Sequence, residues 1–189
     1  MTSTIGFLYD SHDDAAAAVH DLEAAGVSAA DIGFVANNGA GGRSPAASSA
    51  GRGAEAGATM GAALGGGAGL LAGLGLLTIP GLGPVVAAGW LATTVVGVAA
   101  GAGAGATAGG ILGTLAQNGV SEADAHLYAE GVRRGGTLVT VRCDEAKIGA
   151  VEDIMRRHRP VDPAERRRAY REGGWTAFDE TAPPVEPQR

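Results

Sequence analysis

Apolar and polar positions follow three different rhythms along this chain. Thr4-Ile5-Gly6-Phe7-Leu8-Tyr9 is a short apolar run that predicts a buried first strand. Asp10-Ser11-His12-Asp13 then supplies N-cap residues and acids for a helix start. Ala15, Ala16, Val19, Leu22 and Ala25 recur at steps of three and four, which predicts an amphipathic helix ending at Gly26. A turn through Val27–Asp31 leads into a second strand, Ile32-Gly33-Phe34-Val35-Ala36. Toward the other end, Ser121 caps a helix carrying Ala125, Leu127, Tyr128 and Val132, which stops at Gly135-Gly136. Thr137 to Cys143 alternates as a third strand. Asp144-Glu145 opens a helix with Ile148, Val151, Ile154 and Met155 on one face, and Pro160-Val161-Asp162 predicts a short last strand.

Between these ends lies a stretch without charge or histidine, from Ala56 to Ser121. Glycine recurs at every fourth residue, at Gly57, Gly61, Gly65, Gly69 and Gly73, and again at Gly89, Gly97, Gly101, Gly105, Gly109 and Gly113, with Thr93 the exception. Residues four apart share one face of a helix, so the pattern predicts a glycine zipper on two helical arms. Pro80, Gly81, Gly83 and Pro84 form the hairpin turn between them. Gly57–Ile79 and Val85–Leu115 each exceed the roughly 20 residues that span a bilayer. Small-residue faces let helices pack closely in lipid, whereas each glycine costs a water-exposed helix about 1 kcal/mol relative to alanine. A membrane-inserted hairpin is favoured, and a soluble hairpin buried in a homo-oligomer is the alternative.

Two internal echoes suggest a duplicated design. Gly26–Asp31 matches Gly119–Asp124 at five of six places, and Ala18–Leu22 echoes Ala150–Ile154. The expected fold class is therefore α+β: a ferredoxin-like sheet-and-helix domain with an inserted glycine-zipper α-helical hairpin. Residues 1–36 and 119–162 would form one discontinuous domain, 37–53 a flexible linker, 54–118 the hairpin, and 163–189 an Arg-rich then Pro-rich tail.

Charge sharpens the division. The net −6 resides in residues 1–55 (−5) and 122–189 (−1), so nucleic acid is disfavoured as a partner. Cys143 is the single cysteine, which excludes a disulfide framework. No signal peptide is visible, so the polar parts and both termini are expected on the cytoplasmic side.

Candidate chemistry is sparse. Gly103-x-Gly105-x-x-Ala108 has the spacing of a dinucleotide fingerprint without the preceding strand, and the single lysine, Lys147, excludes a P-loop. His12, Asp13, Asp14, His20 and Glu23 are metal-ligand types, but the aspartates serve the helix start, so no metal, cofactor or catalytic residue is assigned. Cys143 reads as a half-buried structural thiol before a redox sensor. Arg156, Arg157, Arg159, Arg166, Arg167, Arg168 and Arg171 form the most suggestive cluster, suited to anionic lipid headgroups. Asp162, Glu165 and Glu172 are interleaved with them, so a solvated, salt-bridged helix explains the run equally simply. Trp175 and Phe178 read as an anchor onto the domain or onto a partner.

The order of segments carries a resemblance: strand, Asp-led helix, Ala-Ala-Gly-Val-Ser, strand, glycine-rich arm, Ile79-Pro80-Gly81-Leu82-Gly83-Pro84-Val85, second arm, Gly-Val-Ser-Glu-Ala-Asp-Ala, Tyr128–Gly136, then Leu-Val-Thr-Val. Over roughly residues 4–143 it resembles the bacterial general stress protein (YflT-like) and low-temperature-induced glycine-zipper proteins. The resemblance implies a stress-associated, membrane-linked protein without an assigned enzymatic activity and with no catalytic residues to carry over. The expected function is a non-enzymatic one, in which the hairpin inserts in the inner membrane and self-associates. A soluble homo-oligomeric scaffold is the alternative, and an enzyme or small-ligand sensor the least favoured.

Overall fold

The computed structural model describes residues 2–37, 75–79, 81–94 and 110–182. In chain order the elements are β1 (Thr2–Tyr9), α1 (His12–Ala24), β2 (Ile32–Asn37), β3 (Gly75–Ile79) and β4 (Gly83–Ala88). After a helical turn at 89–94 come α2 (Ile111–Gln117), α3 (Glu122–Arg133), β5 (Thr137–Asp144), α4 (Ile148–Arg156) and α5 (Pro163–Glu172). The strands form one mixed-order antiparallel sheet, β1-β5-β2-β4-β3. β1 and β2 both run antiparallel to β5, which lies between them, so β1-α1-β2 is a split crossover around the third strand of the chain ends.

Alternation along the strands sends two sets of side chains to opposite faces. On one face Tyr9, Phe34, Val139 and Val141 pack under Ala15, Val19 and Leu22 of α1 and Val151 and Met155 of α4. The Tyr9 hydroxyl donates to the Met155 carbonyl at 2.9 Å, and burial, with Asp14 adding, pushes the phenol up. On the other face Leu8, Val35, Val85, Ala87 and Leu138 pack under Leu115 of α2 and Ala125, Tyr128 and Val132 of α3. Tyr128 crosses to β1 and donates to the Gly6 carbonyl at 2.8 Å.

The chain ends follow the expected periodicities. Ser11 and Ser121 cap α1 and α3, their hydroxyls accepting from the Asp14 and Asp124 backbone N–H. The short last strand expected at Pro160–Asp162 is not one. Its trace is a single bond, Val161 N–H donating to the Leu8 carbonyl at 2.8 Å beside β1.

The described middle departs from the expected helical hairpin. Gly75–Ile79 and Gly83–Ala88 are strands, β3 pairing with β4 and β4 with β2. Gly57–Ile79 and Val85–Leu115 are therefore not continuous helices. A step of four is two strand periods as well as about one helical turn, so small residues four apart share a face in either conformation. Tertiary pairing decides: the backbone of Phe34–Asn37 would be unpaired on one side, and Val85–Ala88 supplies its partners. Pro84, which cannot donate, lies just beyond the last β2–β4 pair, Asn37↔Val85. Gly81 and Gly83 do mark the turn, but of a β-hairpin, with the Leu82 N–H donating to the Ile79 carbonyl at 3.1 Å. Gly89 is a strand-to-helix corner at φ +69° bridged to Gly33, not a helix-packing position. Gly113 lies in α2, whose buried face is Ile111, Thr114 and Leu115. Pro80 and the zipper positions Gly57, Gly61, Gly65, Gly69, Gly73, Gly97, Gly101, Gly105 and Gly109 lie outside the described residues.

The sheet face under 89–94 is tight at Gly33. A Cβ there would stand 2.7 Å from Leu91 Cγ and 2.5 Å from Thr140 Oγ1, in a fully buried layer. Gly33→Ala is expected to lower stability by about 1–3 kcal/mol through overpacking. Gly149→Ala, on the exposed face of α4 with nothing within 4 Å, should be neutral or stabilising by up to about 1 kcal/mol. Urea midpoints of the two variants check both; equal midpoints would refute the close approach at Gly33.

Candidate functional site

The feature that gathers the most chemistry is the junction between α3, the β3–β4 turn and the C-terminal segment. α5 begins at Asp162, whose carboxylate accepts from the Ala164 and Glu165 N–H, with Pro163 at the first helical position. It ends at Gly173, and Gly174 reverses the chain at φ +84°. Trp175 then packs with Leu127 and Tyr170, the two rings meeting edge-on at 5.7 Å. Phe178 enters the main core with Ile79 and Leu82 of the hairpin. The tail lies directly on the turn: a Cβ on Gly81 would come 2.8 Å from the Glu180 Cα and 2.9 Å from the Phe178 ring. The Glu180 carboxylate sits as closely against Gly110, just before α2. Of the two roles open to Trp175 and Phe178, anchoring onto the domain is the one the structure displays.

α3 provides the floor of this junction. Glu122, His126, Glu130 and Arg133 recur at steps of four, four and three, which puts them along one side of the helix. Glu130 is wholly buried and accepts from Arg133 Nε at 2.9 Å and NH2 at 2.8 Å and from Arg134 Nε at 2.6 Å. The two guanidiniums then serve as platforms, Arg134 4.4 Å from the centre of the Tyr170 ring and Arg133 6.0 Å from that of Phe178. His126 Nδ1 accepts from the Phe178 N–H at 3.2 Å. A buried acid three and four residues before two arginines is readable as a helical ion pair. That it also organises the tail is visible only in three dimensions.

The seven arginines are not one patch. Arg156 pairs with Glu152 at 3.3 Å, Arg159 with Asp14 at 2.8 Å, and Arg167 with Asp124 at 2.6 Å. Arg166 makes a two-pronged contact with Asp10, which pushes its guanidinium up. Arg157 donates to the Asp153 carbonyl at 3.3 Å. Arg157, Arg168 and Arg171 form no salt bridge among the described residues; Arg168 and Arg171, with Ala164, Arg167 and Glu172, line a shallow depression on α5. Four of the seven thus pair with acids, three of them with acids on other segments of the chain (Asp10, Asp14 and Asp124).

Other candidates resolve into structural roles. Among the described residues no group of three His, Cys, Asp or Glu side chains is placed to hold a metal. Asp14 is taken by Arg159, and His12 meets Phe34 edge-on at 5.4 Å. Cys143 is buried, and burial, with Asp144 adding, pushes its thiol up, away from a reactive thiolate. The residues Gly103–Ala108 lie outside the described residues. Sequence reasoning missed Arg142, which donates to the Ala30 carbonyl at 3.0 Å and stacks 5.1 Å from the centre of the Trp90 ring. A second, mainly polar depression is lined by Arg142, Thr2, Ser3, Thr4 and Gln117–Gly119. Comparison of the chain with protein-family models, with curated proteins and with solved structures found no match.

Two measurements test these ionic contacts. Glu130→Ala leaves Arg133 without its carboxylate in a mostly buried place, and is expected to cost about 3 kcal/mol. Chemical denaturation should show the loss, together with a blue-shift lost from Trp175 emission; an unchanged midpoint would mean the ion pair organises nothing. The second concerns α1 and α4. His158 Nε2 lies 2.9 Å from Asp21 Oδ2, and this hydrogen bond holds the Asp21 carboxyl below its ordinary range. A depressed acid stabilises the fold above its unfolded pKa, and that contribution is lost as pH falls through the folded value. Acidification from about pH 5 to about pH 3 should therefore lower the Tm of the native protein more than that of Asp21→Asn. Parallel Tm profiles would refute the link.

Proposed function

We propose that the chain is a non-enzymatic, stress-associated protein in which a ferredoxin-like α+β domain carries a glycine-rich insert that associates with membrane and with itself. The ferredoxin-like reading draws on the split β1-α1-β2 unit around β5, and on Val161 beside β1 where a fourth strand of that fold would run. The stress association rests on the resemblance to the YflT-like and low-temperature-induced glycine-zipper proteins. One observation carries the assembly reading: the two runs 56–74 and 95–109 hold no charged residue, and the segments joined to them are built into the domain. Residue 75 starts β3 and residue 110 leads directly into α2, so any association of these runs acts on the domain through short, ordered connections. Among the described residues no helix is long and apolar enough to cross a membrane. Lipid contact outside the insert narrows to Arg168 and Arg171, with Arg157 beside them in charge, since the other four arginines are matched by acids.

The soluble homo-oligomer is favoured by a separate observation. Among the described strands β3 lies at the end of the sheet, with the uncharged sequence Gly-Leu-Leu-Thr-Ile, and lacks the lysine or proline that commonly blocks edge pairing.

The test uses the full-length chain, because deleting the insert would remove β3, β4 and α2 from the core. Gly65→Leu and Gly101→Leu should weaken self-association in cross-linking while leaving carbonate-resistant membrane retention intact or raised. Unchanged cross-linking in both variants would remove the glycine faces as the interface. Full recovery of the native protein as a large soluble particle would favour the scaffold.

A further inference from the structure

We propose that residues 175–182 are a pH-gated latch on the β3–β4 hairpin, with His126 as the trigger. The latch has a hinge, a bolt and a catch. Gly173-Gly174 is the hinge, following the last turn of α5. Phe178 is the bolt, a buried ring between α3 and the hairpin residues Ile79 and Leu82. Beyond it Asp179 accepts from the Thr181 N–H and hydroxyl, a local turn that keeps the segment compact where it crosses Gly81.

The catch is one hydrogen bond whose direction depends on protonation. The Phe178 N–H donates to His126 Nδ1, so that nitrogen must carry a lone pair and the ring proton must sit on Nε2. Nε2 faces Glu122 Oε1 at 4.0 Å, which favours this tautomer. Adding a proton to Nδ1 puts two N–H groups face to face in a place where His126 is only 24% exposed. The backbone amide then loses its acceptor, and the arrangement changes from attraction to repulsion.

Among the described residues, the charged groups near His126 belong to α3 and the tail. α3 contributes Glu122, Glu130 and Arg133, with Glu130 already neutralised by Arg133 and Arg134. The tail contributes Asp179 and Glu180. The hairpin and α2 contribute none, since the chain has no charged residue between Glu55 and Glu122.

Opening the latch would uncover Ile79, Leu82 and the approach to α2, which adjoin the glycine-rich runs in sequence. The latch itself stands on the described contacts. Its consequence, that acidification frees the insert for assembly, rests on the function proposed above.

Amide hydrogen exchange of residues 175–182 in the full-length protein, corrected for intrinsic rates, tests the latch. Lowering pH from about 7.5 to about 5.5 should raise exchange in this segment about tenfold while β5 stays protected. His126→Asn keeps an acceptor near the Nδ1 position but cannot be protonated, so its tail should remain protected at both pH values. His126→Ala should exchange fast at both. Equal protection of the native tail at the two pH values would overturn the proposal, and so would acid-induced opening in His126→Asn. Both comparisons stand even if His126→Ala does not fold. Sedimentation of the native protein and His126→Asn at the two pH values separates the two ideas. A tail that opens without any change in assembly retains the latch and removes the assembly reading.

Discussion

β5 must be covered on both faces, and much of the molecule follows from that requirement. Thr137 to Val141 are all buried, and neighbours β1 and β2 occupy both edges. Antiparallel sheets commonly leave one face to water. Here Val139 and Val141 face α1 and α4, while Leu138 and Thr140 face the opposite way, toward α3 and the hairpin side. A split β-α-β arrangement with its two helices on one side would leave Leu8, Val35 and Leu138 exposed. α2, α3 and the helical turn at 89–94 remove them from water. Residues 79, 82–91 and 111–115, between β2 and α3, are therefore part of the hydrophobic core rather than an appendage on a finished domain.

Electrostatics then fastens the layers without creating a strongly charged face. Acids near the start of the chain meet basic side chains near its end: Asp10 with Arg166, Asp14 with Arg159, and Asp21 with His158. Exposed pairs of this kind each contribute little, but together they set where α4 and α5 lie against β1 and α1. Glu130 differs because it is fully buried and shared by two arginines. Its removal would leave charge stranded, so the geometry at that point is strongly specified. Tyr170 and Phe178 rest on those same guanidiniums, which is how a polar C-terminal segment acquires a defined position.

Periodicity in the sequence alone determined the ends of this protein. The strands at β1, β2 and β5 and the helices α1, α3 and α4 lie where alternation, three-and-four spacing and serine caps place them. In these segments local propensity and tertiary burial agree. The C-terminal arginines were readable as a mixture of bases and acids, but not as pairs with Asp10, Asp14 and Asp124. Partners separated in sequence by 43 to 156 residues leave no local pattern. The middle is where the sequence was ambiguous. Glycine at every fourth position satisfies both the helical and the extended repeat, and uncharged apolar residues suit a bilayer, an oligomer or a core. Only the tertiary structure decided for residues 75–79 and 83–88, because β2 offered an unpaired backbone and the α3 side of the sheet offered apolar surface to be covered.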